Sequence, residues 1–152
     1  MKAANVVSNN CIILGAEPKT WEEAIVIAGN LLVKNGFVKS EYVDDMIKMV
    51  KELGPYIVIA PGLAIPHARP SISVISSGIS IVTLKAPVYF GNQSNDPVQL
   101  VIGLAGYNDG VHLAHMKMIA DIFEDENIIY EIAKCKNKQK IADIFNGKEV
   151  NL

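Results

Sequence analysis

The chain has 152 residues, about the length of one domain, and can bury roughly two thirds of the surface that it exposes when unfolded. No apolar run reaches the ~18 residues that a membrane span requires, and the N-terminus lacks a signal-peptide pattern. We therefore expect one cytoplasmic domain covering residues 1–152. With 14 basic and 16 acidic residues, the net charge of −2 argues against nucleic acid as a partner, so any anion must be bound locally.

The first half of the chain predicts two helices. Thr20 and Glu23 form a capping-box pattern, in which the threonine hydroxyl accepts from a free backbone N–H and the glutamate reaches back. The helix that follows has apolar residues at helical spacing and a left-handed stop at Gly36. Ser40 is expected to cap a second helix, which ends at Gly54 before a proline.

The middle of the chain predicts short strands. Tyr56–Ala60 is an apolar run that indicates a short buried strand. Val74–Leu84 contains strand material with two alternating faces, and Gly78 within it indicates a bend or a bulge. Val98–Ala105 is apolar on both faces apart from Gln99, which predicts a central strand covered on both sides.

The last part of the chain is predicted to be helical. Asn108 to Gly110 form a start signal for a helix over Val111–Phe123. Two shorter amphipathic helices are expected at Glu126–Cys135 and Lys138–Phe145. The inward face of the helix predicted at Val111–Phe123 is expected to hold five apolar residues, Leu113, Met116, Ile119, Ala120 and Phe123. The pattern as a whole predicts an α/β layered sandwich, with a central mixed β-sheet flanked by helices.

One histidine, His67, lies on a heavily constrained piece of backbone. Pro61, Pro66 and Pro70 fix φ and favour extended conformations before them, while Gly62 permits a turn that a Cβ would hinder. The imidazole is expected just past a strand end, where α/β proteins commonly place functional groups. Neutral imidazole is a good nucleophile near pH 7, so His67 is the chief candidate for chemistry. Without this setting, a lone histidine is more often a surface or structural residue.

Two more histidines lie on the helix predicted at Val111–Phe123. His112 falls in its first turn, where unpaired N–H groups and the helix dipole favour an anion; the alternative is a simple exposed residue. His115, three residues later, lies on a neighbouring face, and the pair could supply two metal ligands. No third ligand follows in a zinc pattern, so we expect no metal and interpret His115 as a supporting or partner-facing residue.

The run Gly62-Leu63-Ala64-Ile65-Pro66-His67 is similar to the active-site signature of type 2 IIA domains of the bacterial sugar phosphotransferase system, the fructose and mannitol class. The longer form, with Gly-Pro-Tyr at 54–56 before it and Ala-Arg-Pro at 68–70 after it, most resembles the ascorbate branch. The resemblance spans nearly the whole chain, including residues 95–98 and the helix carrying His112. It implies the same α/β fold.

The resemblance also implies a reaction and its partners. His67 would accept a phosphoryl group from the phosphohistidine of HPr and pass it to a cysteine of a cognate IIB component. That IIB component would phosphorylate a sugar-like substrate during its import through a membrane IIC component. In the family, a histidine at the position of His112 serves the site beside the phosphorylated one. No nucleotide or other cofactor is implied, and the chain has no Walker-type phosphate loop.

The source of positive charge at the site stays open. Mannitol-type members of the family carry an arginine upstream of the signature, roughly where this chain has Lys51, with Lys48 nearby. Arg69 could direct its guanidinium at a phosphoryl group or an acidic partner, or could be a solvated surface residue. Lys51, Arg69 or neither supplies the charge.

Two other functions compete with the phosphocarrier interpretation. In the first, the protein is a regulatory module, and phosphorylation of the same histidine only changes its affinity for a partner. In the second, the protein is a hydrolase that uses both histidines, but no serine, cysteine or carboxylate has a recognisable nucleophile setting. Passing the phosphate on to a IIB component distinguishes a carrier from a regulator.

Overall fold

The computed structural model of the protein describes residues 6–152, so the first five residues of the predicted domain lie outside it. The described chain forms, in order, β1 (Ile12–Ala16), α1 (Trp21–Lys34), α2 (Glu41–Leu53), β2 (Val58–Ala60), β3 (Leu63–Ala64), β4 (Gly78–Val88), β5 (Val98–Ala105), α3 (Asp109–Ile122), α4 (Asn127–Lys134) and α5 (Lys138–Phe145). Within residues 6–152, none of the helices combines the length and apolar character needed to span a membrane.

The strands form one mixed sheet in the order β1-β4-β5-β3-β2. Strand β4 is parallel to β1 and antiparallel to β5, while β3 is parallel to β5 and antiparallel to β2. Strand β5 therefore lies at the centre, as its two apolar faces predicted. Its alternate residues enter two different cores, with Ile102 and Leu104 in one and Val101 and Ala105 in the other.

The helices cover both faces of this sheet. Helices α1 and α2 contribute Leu32 and Met46 to the core on one face. Helices α3, α4 and α5 contribute to the core on the other face, with Ile119 and Phe145 among the buried residues. The layered α/β sandwich with a mixed central sheet is thereby confirmed.

Two of the three predicted helix caps are present. The Thr20 hydroxyl accepts from the N–H of Glu23 at 3.2 Å, and the Asn108 side chain accepts from the N–H of Val111 at 2.9 Å. The prediction for Ser40 is wrong, because its side chain makes no capping hydrogen bond. The backbone of Ser40 is already helical, with φ −57° and ψ −31°, whereas a capping residue is usually extended.

The strand predicted at Tyr56–Ala60 is shorter and less buried than expected. Strand β2 begins at Val58 and lies at the edge of the sheet, and its Ile59 side chain is 43% exposed. The N–H groups of Tyr56 and Val58 bond the carbonyls of Gly54 and Pro55 instead. These turn bonds occupy the N–H groups of Tyr56 and Val58, although the Ile57 carbonyl still accepts from the N–H of Ile65 at 2.8 Å.

Two further expectations fail because of tertiary packing. Gly78 begins β4 without a bend, and a Cβ at this position would lie 2.3 Å from the ring of Phe37. The glycine therefore allows the Phe37 ring to pack directly against the backbone of β4. On α3, Leu113 is 71% exposed and Ala120 is also exposed, while Ile119 is fully buried. Helix α3 buries a narrower stripe than its apolar pattern predicts.

Candidate functional site

The backbone of His67 is held along the central strand. Gly62 adopts φ +84°, and its carbonyl accepts from two N–H groups of β5. After the short strand β3, the carbonyl of Pro66 accepts from the N–H of Leu104 at 3.0 Å, and His67 forms a parallel bridge with Leu104. His67 therefore lies just past the end of β3 and beside the carboxyl end of β5. The predicted strand-end position is confirmed, although the strand is β3 and not the run at Tyr56.

One hydrogen bond decides which ring nitrogen of His67 can react. Nδ1 lies 2.7 Å from the carbonyl oxygen of Ile65. A carbonyl oxygen only accepts, so Nδ1 carries the hydrogen and Nε2 has the free lone pair. Burial lowers the pKa of His67, and the bond to Ile65 opposes that shift. The half-buried ring is therefore a neutral imidazole whose Nε2 can act as a nucleophile at neutral pH.

His112 lies next to this ring, as the family resemblance implied. The two ring centroids are 5.0 Å apart and the ring planes are inclined by 54°. Gly106 permits this approach, because a Cβ there would lie 2.7 Å from the Cβ of His112. Burial lowers the pKa of His112, charges on His67 and His115 lower it further, and the Asp109 carboxylate acts in the opposite direction.

The second and third histidines differ from His67 in their hydrogen bonding. The Nδ1 atoms of His112 and His115 are buried and have no hydrogen-bond partner in the described part of the chain. Burial lowers the pKa of His115 as well. Among residues 6–152, no group of three or more His, Cys, Asp or Glu side chains could hold a metal ion. The His112 imidazole therefore has capacity for a hydrogen bond that these protein groups do not use.

The predicted cationic residues occupy different places. Arg69 is exposed, and burial raises the pKa of Tyr56 while the charge of Arg69 lowers it. The Tyr56 ring meets the His67 ring edge to face, with centroids 5.6 Å apart. Lys51 is exposed on the last turn of α2, and it is Lys48 that lines a surface groove together with Arg69.

The sequence interpretation missed two tyrosines at this site. The sequence patterns place Tyr56 in a strand and in the ascorbate-type signature but indicate no contact with His67, and they do not indicate Tyr42. The Tyr42 side chain is fully buried, and its hydroxyl oxygen lies 3.0 Å from the backbone nitrogen of Ala68 and 2.8 Å from the carbonyl oxygen of Leu104. A tyrosine within the apolar stripe of a helix is a usable signal, because a buried phenol requires a polar partner.

Comparison with known proteins agrees with this geometry. The family model for the phosphoenolpyruvate-dependent sugar phosphotransferase system, EIIA 2, matches residues 5–148. The ascorbate-specific PTS system EIIA component of Salmonella choleraesuis is 38% identical over 143 residues, which cover 93% of each chain.

Two solved structures from Escherichia coli are also similar. IIA mannitol has a TM-score of 0.82 and 29% identity, covering 91% of this chain and 98% of that chain. Enzyme IIAMTL in complex with phosphorylated enzyme IIBMTL has a TM-score of 0.83 and 28% identity, covering 93% and 98%. The mixed sheet, the His67 signature and these matches lead to one conclusion: the chain belongs to the EIIA 2 family of the phosphoenolpyruvate-dependent sugar phosphotransferase system and is an EIIA component of sugar uptake.

Proposed function

We propose that the protein is a cytoplasmic phosphocarrier, in which Nε2 of His67 accepts a phosphoryl group from the phosphohistidine of HPr and gives it to a cysteine of a IIB component. The observation that supports this most directly is the bond between Nδ1 of His67 and the Ile65 carbonyl, which leaves Nε2 free. As the new N–P bond forms, the N–P bond to HPr breaks. The Nδ1–H···O=C bond then stabilises the positive charge that develops on the ring.

His112 assists the transfer. Phosphoryl transfer passes through a loose, in-line transition state, which is served mainly by positioning and by stabilisation of the phosphoryl oxygens. With its ring 5.0 Å from that of His67, His112 donates a hydrogen bond to one of these oxygens. His115 supports His112. Arg69 and Lys51 are the candidates for contacts with the phosphoryl group or with a partner protein.

The names of similar proteins support the choice of partners. A relative that is 38% identical is named ascorbate-specific, so we assign an ascorbate-like sugar to the pathway that this chain serves. A structural neighbour was solved with phosphorylated IIB, which supports a cognate IIB component as the acceptor. The protein acts on the membrane IIC component only indirectly, through IIB. Residues 1–152 act as one EIIA unit. Neither a cofactor nor nucleic acid takes part.

The test is to incubate the protein with phosphorylated HPr, map the acid-labile phosphate, and then add the cognate IIB component. We expect label on His67 in the parent and in His115→Ala, the matched control, and none in His67→Ala. The label should move to a IIB cysteine within seconds. Label retained by His67→Ala contradicts the assignment of the histidine, and label that stays on the parent after IIB is added favours the regulatory alternative.

A further inference from the structure

The hydroxyl of Tyr42 joins three parts of the molecule in the core. Tyr42 belongs to α2, and its side chain is 0% exposed. The N–H of Ala68 donates to the hydroxyl oxygen at 3.0 Å. The hydroxyl lies 2.8 Å from the carbonyl oxygen of Leu104 and 3.1 Å from that of Ala68. Its single hydrogen serves the shorter of these contacts best, so the hydroxyl links Ala68 to the end of β5.

These contacts fix the backbone on both sides of His67. On the N-terminal side, the carbonyl of Pro66 accepts directly from the N–H of Leu104 at 3.0 Å. On the C-terminal side, the N–H of Ala68 reaches the carbonyl of the same residue, Leu104, through the Tyr42 hydroxyl. Both peptide groups that flank His67 are therefore hydrogen-bonded to Leu104, one directly and the other through the Tyr42 hydroxyl. The orientation of the ring toward the Ile65 carbonyl depends on this backbone being held.

The chemistry of a buried phenol suits this role. Burial raises the pKa of Tyr42 to about 12, so the hydroxyl keeps its hydrogen at physiological pH. It can then donate to Leu104 and accept from Ala68 at the same time. A phenylalanine would fill nearly the same volume but would remove the hydroxyl that bonds both backbone groups.

We propose that Tyr42 is a positioning residue for phosphoryl transfer: its hydroxyl holds the peptide after His67 so that the imidazole keeps its hydrogen on Nδ1 and its lone pair on Nε2. This role rests on the proposed phosphocarrier function of His67. Tyr42 touches none of the reacting atoms and acts only through the backbone of Ala68 and Leu104.

The test compares Tyr42→Phe with Ser80→Ala. The Ser80 hydroxyl is also fully buried and donates to the carbonyl of Ala28 at 2.7 Å, but it does not bond the segment around His67. Both variants should lower the thermal midpoint. Only Tyr42→Phe should convert the His67 ring from the Nδ1–H tautomer to a mixture, measured by nitrogen-15 NMR of the ring, and slow phosphoryl acceptance from phosphorylated HPr by about 10-fold.

An unchanged tautomer in Tyr42→Phe, or an equal change in Ser80→Ala, overturns the role of Tyr42. Amide exchange in the parent provides a measurement that does not depend on folding of a variant. The Ala68 amide should exchange as slowly as the Leu104 amide in the core, and exchange as fast as in exposed loops overturns the proposal. Because the tautomer and the exchange rate are measured without a phosphoryl donor, a parent that takes no phosphate on His67 contradicts the proposed function and not this contact.

Discussion

The two imidazoles at the site are held in different ways. His67 follows a segment in which residues 62–66 are all buried and in which the carbonyls of Gly62 and Pro66 accept from β5, and its own Nδ1 has a carbonyl acceptor. His112 lies on α3, where Ile119 is the one fully buried residue and where the histidine Nδ1 has no acceptor among residues 6–152. The site thus combines a firmly held imidazole, the proposed nucleophile, with a second imidazole, the proposed assisting group, on a lightly packed helix.

This difference fits the proposed phosphocarrier function, in which the protein meets two partners in turn. Segments with few buried apolar contacts open at a lower free-energy cost than core strands. Helix α3 is therefore expected to open at a lower free-energy cost than β3 and β5, which hold the backbone of His67. The changes at His112 and Gly106 weaken the α3 side of this comparison and leave the His67 side as a reference.

The largest effect is expected from His112→Ala. A donor to a developing anion is worth about 2 to 4 kcal/mol, so phosphoryl transfer should slow by ~10-fold or more. Folding should be unaffected, because His112 buries little apolar surface. Stopped-flow transfer from phosphorylated HPr and thermal melts measure the two quantities. His115→Ala is the control and should have a smaller effect; if His115→Ala were the slower variant, the roles of the two histidines would be reversed.

Gly106→Ala should displace the α3 side of the site alone. The new Cβ would lie 2.7 Å from the Cβ and 2.9 Å from the Cα of His112, so the start of α3 must move. Overpacking of this kind costs about 1 to 3 kcal/mol, and transfer should slow several-fold as the assisting ring moves away. The His67 tautomer should stay the same, which nitrogen-15 NMR checks. Gly110→Ala is the matched control, because its nearest contact would be 3.4 Å from the side chain of Asn108.

Removal of the exposed charge of Arg69 should have a smaller effect. A charge at the rim of an interface acts mainly on the association rate, so Arg69→Ala should slow transfer from HPr by about 3-fold at low salt. The difference should vanish near 1 M salt, where the screening length is about 3 Å. Lys51→Ala, which removes a charge outside the Arg69 groove, should change the rate less. An equal loss of transfer rate in both variants would show that the overall surface charge, and not Arg69 in particular, speeds association with HPr.

The smallest effect concerns stability and pH. Burial lowers the pKa of His67, His112 and His115 below the ordinary value of 6.5. As the pH falls through that value, the unfolded chain therefore binds more protons than the folded chain. The free energy of unfolding should therefore decrease between about pH 7.5 and 5.5, in the window above the carboxylate titrations. Urea denaturation measures this slope. His112→Ala should reduce it, and an unchanged slope would show that other groups cause the pH dependence.

Local patterns in the sequence were sufficient for a large part of the fold and for the position of His67 just past a strand end. The caps at Thr20 and Asn108, the turn at Gly62 and the two-sided apolar pattern of β5 depend on residues close together in the chain, or on their periodicity. The constrained setting of His67 is local as well. For these features, the backbone preferences of a few neighbouring residues decide the outcome.

Contacts between distant residues decided the rest. Strand β3 has only two residues and exists because it pairs with β5. Leu113 is exposed because α3 packs against the sheet through a narrow stripe. Gly78 is needed because the Phe37 ring packs against its backbone. Tyr42 bonds partners 26 and 62 residues away in sequence. No local pattern encodes such contacts, because they form only after the helix layer closes over the sheet.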